Sequence, residues 1–213
     1  MAFSFPKIYP ILDASILPAT GRAEFLRGLG EELAEAGVTL LEYRNKTGLD
    51  SEILADAAVL RVAMPAPQVR LILDDRADLV AQVGFDGVHV DAGDVSPAEA
   101  RRIVGSERIV GTFGGGTEFL PGVLEAPVDY WAVGPVYRTT TKQTDKAPIG
   151  PEGVRRMREV AGPDRVLTCA AGITQETAPL VLAAGASAIA VSAAIFRNPD
   201  PAAEFRRWMA QLG

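Results

Sequence analysis

Charged side chains of both signs gather in short clusters through this sequence. Glu42, Arg44 and Lys46 fall on alternate positions, Asp74, Asp75 and Arg76 are contiguous, and His89, Asp91 and Asp94 come next. The stretch GPVYRTTTKQTDKAPIG at 134–150 then adds Arg138, Lys142 and Lys146 around the threonines 139–141. Carboxylates gather divalent cations, while arginine and lysine grip phosphate-type anions. The mixture suits an anionic ligand held by cations, together with a divalent metal held by carboxylates. His89, the lone histidine, reads as a packed structural residue in preference to a base. Cys169 reads as a small buried side chain, with no histidine evident to activate it. Asp13 reads as a loop cap or orienting group.

These residues need a scaffold that brings distant segments to one place. Apolar β-rich runs recur at 8–12, 38–43, 69–73, 86–90, 108–112, 129–133, 165–169 and 188–192. Segments of helical period lie between them, among them 23–37, 50–63, 151–161 and 174–185. The runs are continuously apolar, as expected of parallel strands buried on both faces. Such alternation predicts a (β/α)8 TIM barrel over residues 1–213 as a single domain; a doubly wound open sheet is the rival. In a barrel, chemistry belongs just after each strand. Those positions are Asp13; Glu42, Arg44 and Lys46; Asp74, Asp75 and Arg76; His89, Asp91 and Asp94; Thr112 with glycines 114–116; Arg138 to Lys146; Gly172; and Ser192.

Small residues after the last two strands, in CAAGIT and VSAAIF, suit a phosphate held by backbone N–H groups. Tight strand-to-helix turns need small residues too. The glycine run 114–116 reads equally as a phosphate cradle or a flexible loop. Arg101, Arg102, Arg155, Arg156 and Arg158 lie on predicted helices and read as solvated faces.

Composition narrows the class. With 48% apolar residues over 213 positions the chain can bury a full core. A net charge of −6 argues against a nucleic-acid surface. No apolar run approaches the ~20 residues that span a bilayer, and Pro6, Pro10 and Asp13 interrupt the N-terminal stretch where a signal peptide would be apolar. A single cysteine suits a reducing compartment, so a cytoplasmic protein is expected. Phe196, Phe205 and Trp208 are expected to cover the barrel's end or to form a homo-oligomer contact.

The ordered set ExRxK at 42–46, LDDRADLV at 73–80, DGVHVxxxD at 86–94, GPVYRTTTK at 134–142, AAGI at 170–173 and AVSAAI at 190–195 resembles the thiamine phosphate synthase family. The likeness runs from about residue 8 to 196. It implies a transferase that joins hydroxymethylpyrimidine diphosphate to thiazole phosphate, releasing pyrophosphate, with a pyrimidine cation formed before the thiazole nitrogen attacks. It implies Mg2+ on Asp75 and Asp94, and diphosphate contacts from Arg44, Lys46 and Lys142. Thr112 stands where the family has a serine near the leaving group. Thr139 and Thr141 match hydroxyls at the thiazole phosphate, with Thr140 between them, and Gly172, Ser192 and Ala193 complete that pocket. Glu42 and Asp74 would face the pyrimidine.

Several positions depart from the family pattern. Glu42 replaces a glutamine, Asp74 an asparagine, Asp91 and Ala92 a Gly-Gln pair, Ala171 a glycine and Ala193 a serine, while Gly114 falls where a turn histidine is usual. A carboxylate accepts hydrogen bonds where glutamine both donates and accepts, which points toward a changed pyrimidine. Two further readings are a tautomerase-like enzyme sharing the thiazole phosphate pocket, and a non-catalytic paralogue that binds a thiamine precursor.

Overall fold

The structure, a computed structural model, describes residues 4–139 and 146–213. Thr140, Thr141 and Lys142 lie outside the described residues. Eight strands, β1 (Ile8–Asp13), β2 (Leu40–Arg44), β3 (Arg70–Asp74), β4 (Gly87–Val90), β5 (Ile109–Gly115), β6 (Tyr130–Val133), β7 (Val166–Ala170) and β8 (Ala188–Val191), close into a barrel in chain order. Every neighbouring pair is parallel, and β1 closes the ring against β8. The expected (β/α)8 barrel is the observed fold.

Helices follow the strands: α1 (Arg22–Glu35), α2 (Asp50–Ala63), α3 (Val80–Val83), α4 (Pro97–Val104), α5 (Gly150–Ala161), α6 (Ala178–Ala183), α7 (Ala193–Phe196) and α8 (Pro201–Leu212); only a short 3-10 turn, Val123–Glu125, joins β5 to β6, and both α7 and α8 follow β8. Their apolar residues recur at helical spacing, so one stripe meets the outer strand faces. In α1 that stripe is Leu26, Leu29 and Leu33; in α5 it is Val154, Met157 and Ala161. Start signals are local: Ser96 accepts from Glu99 N–H ahead of Pro97, and Asp200 accepts from Ala203 N–H ahead of Pro201. No helix among the described residues is long and apolar enough to cross a membrane.

Side chains alternate along each strand, so one set points into the barrel and the other toward the helices. Tyr9, Leu40, Ile72, Tyr130 and Ala190 fill the interior, with Phe5 packed beneath them. Phe5 meets Tyr9 edge-on at 5.5 Å between ring centres. The larger core lies between strands and helices. Phe196, Phe205 and Trp208 are buried in it, so they cover barrel surface and offer nothing to a partner subunit.

Two expectations about loops and arginines are corrected. The glycine run is neither cradle nor open loop: β5 continues through Gly115, which bridges back to Phe119, and Leu120 N–H bonds Gly114 O. Arg101 and Arg158 are not solvated. Arg101 donates to Gly105 O and Arg108 O and pairs with Asp129 at 2.6 Å; Arg158 donates to Gly162 O, Arg165 O, Gly185 O and Ser187 Oγ. Arg102, Arg155 and Arg156 are exposed, as expected.

Candidate active site

The inward residues at the C-terminal ends of β1 to β3 are charged, and they line up with alternating sign. Asp13 pairs with Arg44, Arg44 Nε lies 3.3 Å from Asp74 Oδ2, Lys46 Nζ lies 3.1 Å from the same oxygen, and Lys46 also meets Asp75 Oδ2 at 2.6 Å. The contacts to Asp74 Oδ2 are contacts of charge only, because this buried oxygen has no aligned hydrogen bond. Burial, then the Glu42 charge, pushes the Asp74 carboxyl up to about 6. Lys46 is held above its ordinary value: burial opposes its charge, but Asp74 and Asp75 outweigh it. Asp75 sits just past β3 in the left-handed region, with φ 65°. A non-glycine residue there is strained and is kept only where its surroundings dictate it.

Below this rim a hydrogen-bonded chain crosses the barrel. Tyr9 donates to Glu42 Oε2 at 2.6 Å, the Tyr9 and Tyr130 hydroxyls meet at 2.7 Å, and Tyr130 meets His89 Nδ1 at 3.0 Å. His89 Nε2 then lies 3.5 Å from Asp91 Oδ1. Gly111 makes this chain possible. A Cβ on it would fall 2.0 Å from the Tyr130 ring, so only glycine on β5 lets that ring cross toward β4. Burial raises the Glu42 carboxyl above its ordinary value, against the opposing pull of His89 and Tyr9. Burial disfavours charge on His89, yet the Asp91 hydrogen bond and the Glu42, Asp91 and Asp74 carboxylates together push it up to about 9. His89 is thus packed, as expected, and its carboxylate neighbours favour its protonated form in the site wall. Cys169 is inert: burial pushes its thiol up to about 12.

Two cavities open at this end of the barrel. The first, of about 250 Å³, is walled by Glu42, Asp74, His89, Asp91, Phe113 and Lys146. The second, of about 410 Å³, is walled by Asp13, Arg138, Gly172, Thr174, Ser192 and Ala193. Arg44 and Thr139 belong to both walls, so the cavities share a partition. The second is a cradle of backbone and small side chains. Gly172 has φ 68°, and a Cβ on it would fall 2.3 Å from Arg138 O, so the two loops touch through that glycine. Ala171 keeps a left-handed conformation, φ 74°, although it carries a side chain where the family has glycine. Ala193 and Ala194 open α7, where helical N–H groups have no intrahelical acceptor.

The expected residues divide by place. Glu42, Arg44 and Asp74 line the first cavity, Thr139 and Arg44 the partition, and Gly172, Ser192 and Ala193 the second. Lys46, Asp75 and Asp94 stand outside both, on the rim. Thr112 is placed differently from the expectation. It points outward from β5 and donates to Val90 O at 3.0 Å, and its neighbour Phe113 faces the cavity instead. The period of two along Ile109, Gly111 and Phe113 carries that signal. Tyr9, Tyr130 and Thr168 were missed as site residues, because they read as ordinary strand positions; Lys146, expected among the rim positions, lines the first cavity.

The rim carboxylates fit a hard divalent ion. Burial and the adjacent Asp75 carboxylate hold Asp94 above its ordinary value, against the pull of Asp91 N–H, so two like charges face each other there. No group of three or more His, Cys, Asp or Glu side chains suited to a metal occurs among the described residues. Magnesium commonly takes one or two carboxylates and completes its shell with water and substrate phosphate oxygens.

Comparisons with known proteins agree with this geometry. A family profile described as "Thiamine monophosphate synthase" matches residues 8–195. A thiamine-phosphate synthase of Koribacter versatilis is 40% identical over 201 residues, covering 94% of each chain. One from Agrobacterium fabrum is 34% identical over 90% of this chain and 86% of its own. Among solved structures, a thiamine phosphate pyrophosphorylase from Pyrococcus furiosus superimposes with a TM-score of 0.80 at 26% identity, covering 97% of each chain. A match that spans every strand and both cavities leaves no part of the barrel unaccounted for: this chain is a member of the thiamine-phosphate synthase family.

Proposed function

We propose that the chain joins hydroxymethylpyrimidine diphosphate to thiazole phosphate, releasing pyrophosphate and forming thiamine phosphate. The carrying observation is the pair of cavities that share Arg44 and Thr139. The pyrimidine enters the first, where Glu42 accepts from its exocyclic amine. The thiazole phosphate rests on the Gly172–Ala193 cradle of the second. The diphosphate lies along the partition and rim, beside Arg44 and Lys46, with Lys142 completing the cations.

Asp75 and Asp94 would hold Mg2+, which neutralises charge on the departing diphosphate. The chain's own residues orient and exclude water. Arg44, fixed by Asp13, offers a planar fork to phosphate oxygens, while Lys46 is a mobile point charge that leaves Asp74 or Asp75 as ligand arrives. Holding both reactants in line replaces an encounter in solution by an intramolecular step. Such a synthase belongs in the cytoplasm, where its lone buried thiol stays reduced.

Turnover is the test. Purified protein with Mg2+ and both substrates should form a product that oxidises to fluorescent thiochrome phosphate, and EDTA should abolish it. Folded protein that forms none with Mg2+ present would refute the reading.

A further inference from the structure

The first cavity ends on a carboxyl group with one oxygen engaged and one open. Glu42 is buried, and the Tyr9 hydroxyl donates to its Oε2 at 2.6 Å. Tyr9 is its one hydrogen-bond partner among the described residues, so Oε1 stays open to the cavity. The chain of hydroxyls behind it runs in a single direction. Tyr9 gives its only proton to Glu42, so Tyr130 must donate to Tyr9, and His89 Nδ1 must donate to Tyr130. Oε2 is therefore held as an acceptor, and a proton on Glu42 sits on Oε1. Besides this chain, the charged groups facing Glu42 are Arg44 from β2, Asp74 from β3, Asp91 past β4 and Lys146 past β6. The residues that β5, β7 and β8 present to the cavity carry no charge.

An aminopyrimidine presents a donor and an acceptor side by side, its exocyclic amine and the ring nitrogen next to it. An ionised carboxylate answers only the amine, because it has lone pairs and no hydrogen. It also sets its charge against the lone pair of the ring nitrogen, in a pocket where Ile11, Phe113, Val133 and Pro135 leave little room for water. A carboxyl carrying one proton answers both groups. We propose that Glu42 determines specificity for this edge through a proton taken from solvent as the pyrimidine binds, and held between Oε1 and the ring nitrogen. The inference rests on the proposed reaction, which seats a pyrimidine in this cavity, and it concerns the substrate before its diphosphate leaves. Burial already favours a proton on Glu42.

Calorimetry on the full chain, in buffers of different ionisation enthalpy, tests this. The ligand is hydroxymethylpyrimidine diphosphate with Mg2+, thiazole phosphate being withheld so that nothing turns over. Protonation of the diphosphate itself is common to all variants and cancels between them. Wild type should take up about one proton more than Glu42→Gln, whose amide brings its own donor. As pH rises, its affinity should fall relative to that variant by up to about tenfold per unit. Tyr9→Phe should keep the slope but hold affinity to higher pH, because the Tyr9 hydrogen bond favours the ionised carboxylate. Equal proton uptake in wild type and Glu42→Gln, or a Tyr9→Phe profile that does not move, overturns the proposal alone. If the diphosphate does not bind folded wild-type protein, the proposal and the reaction reading fall together.

Discussion

The two ends of the barrel use the same residue types to opposite effect. At the N-terminal end, arginines repeat with the fold. Arg61 donates to Met64 O and Val69 O and pairs with Asp86; Arg101 reaches Gly105 O, Arg108 O and Asp129; Arg158 reaches Gly162 O, Arg165 O and Ser187. Asp86, Asp129 and Ser187, each just before an even-numbered strand, also accept the amides of Leu71, Val110 and Leu167. Each of these three guanidiniums terminates a helix and ties it to the chain beside a strand. At the C-terminal end nothing repeats. Arg44 and Lys46 pair only with carboxylates of the site, and Asp74 Oδ2 is left without an aligned bond. Repetition marks cations that hold the barrel together, and asymmetry marks cations kept for a ligand.

Substitutions at the two ends should therefore separate activity from stability. Arg44→Ala should lower kcat/KM by about 100- to 1000-fold, the scale for losing a donor to developing charge, with a small change in the urea midpoint. Arg158→Ala should do the reverse. Several hydrogen bonds from a charged donor are lost together, so unfolding free energy falls by about 3 kcal/mol while kcat/KM of the folded fraction stays put. A loss of activity in Arg158→Ala matching that of Arg44→Ala would erase the distinction.

A smaller effect comes from Asp74. Its folded value of about 6 lies above the ordinary 3.8, so between those values the native state binds more protons than the unfolded chain. Stability therefore falls as pH rises from about 4 to about 6, by on the order of 2 kcal/mol. Asp74→Asn should remove that slope in urea titrations with chelator present; an unchanged slope would place the proton elsewhere. Smallest is Ala171→Gly. Relief of the left-handed alanine outweighs glycine's added chain entropy, so stability should rise by up to about 1 kcal/mol by urea titration.

The barrel was legible because buried parallel strands announce themselves as apolar runs, and observed strands fall within a few residues of those runs. The rim was legible because loops following strands carry unusual charge. What escaped notice depends on which way a strand residue faces. Thr112 was chosen for its hydroxyl, but strand alternation turns it outward and turns Phe113 in. Tyr9 and Tyr130 look like core residues until Gly111 lets their hydroxyls meet. Arg101 and Arg158 were misread for a different reason. Their acceptors, among them Arg108 O, Asp129, Gly185 O and Ser187, lie on loops before the following strands, and that pairing requires knowing which helix returns beside which strand.

The segment after β6 leaves the barrel through a narrow neck. Val136 and Tyr137 N–H bond Ala170 O and Ala171 O on one side, and Ile149 and Gly150 N–H bond Pro135 O and Val136 O on the other. Both ends of the segment are thus clamped a few ångströms apart, independently of whatever is strung between them. Closing a longer segment across a fixed neck costs little extra entropy. A change of ligand preference at Thr139 or Lys146, which line the first cavity, therefore leaves these four bonds and the barrel beneath them in place.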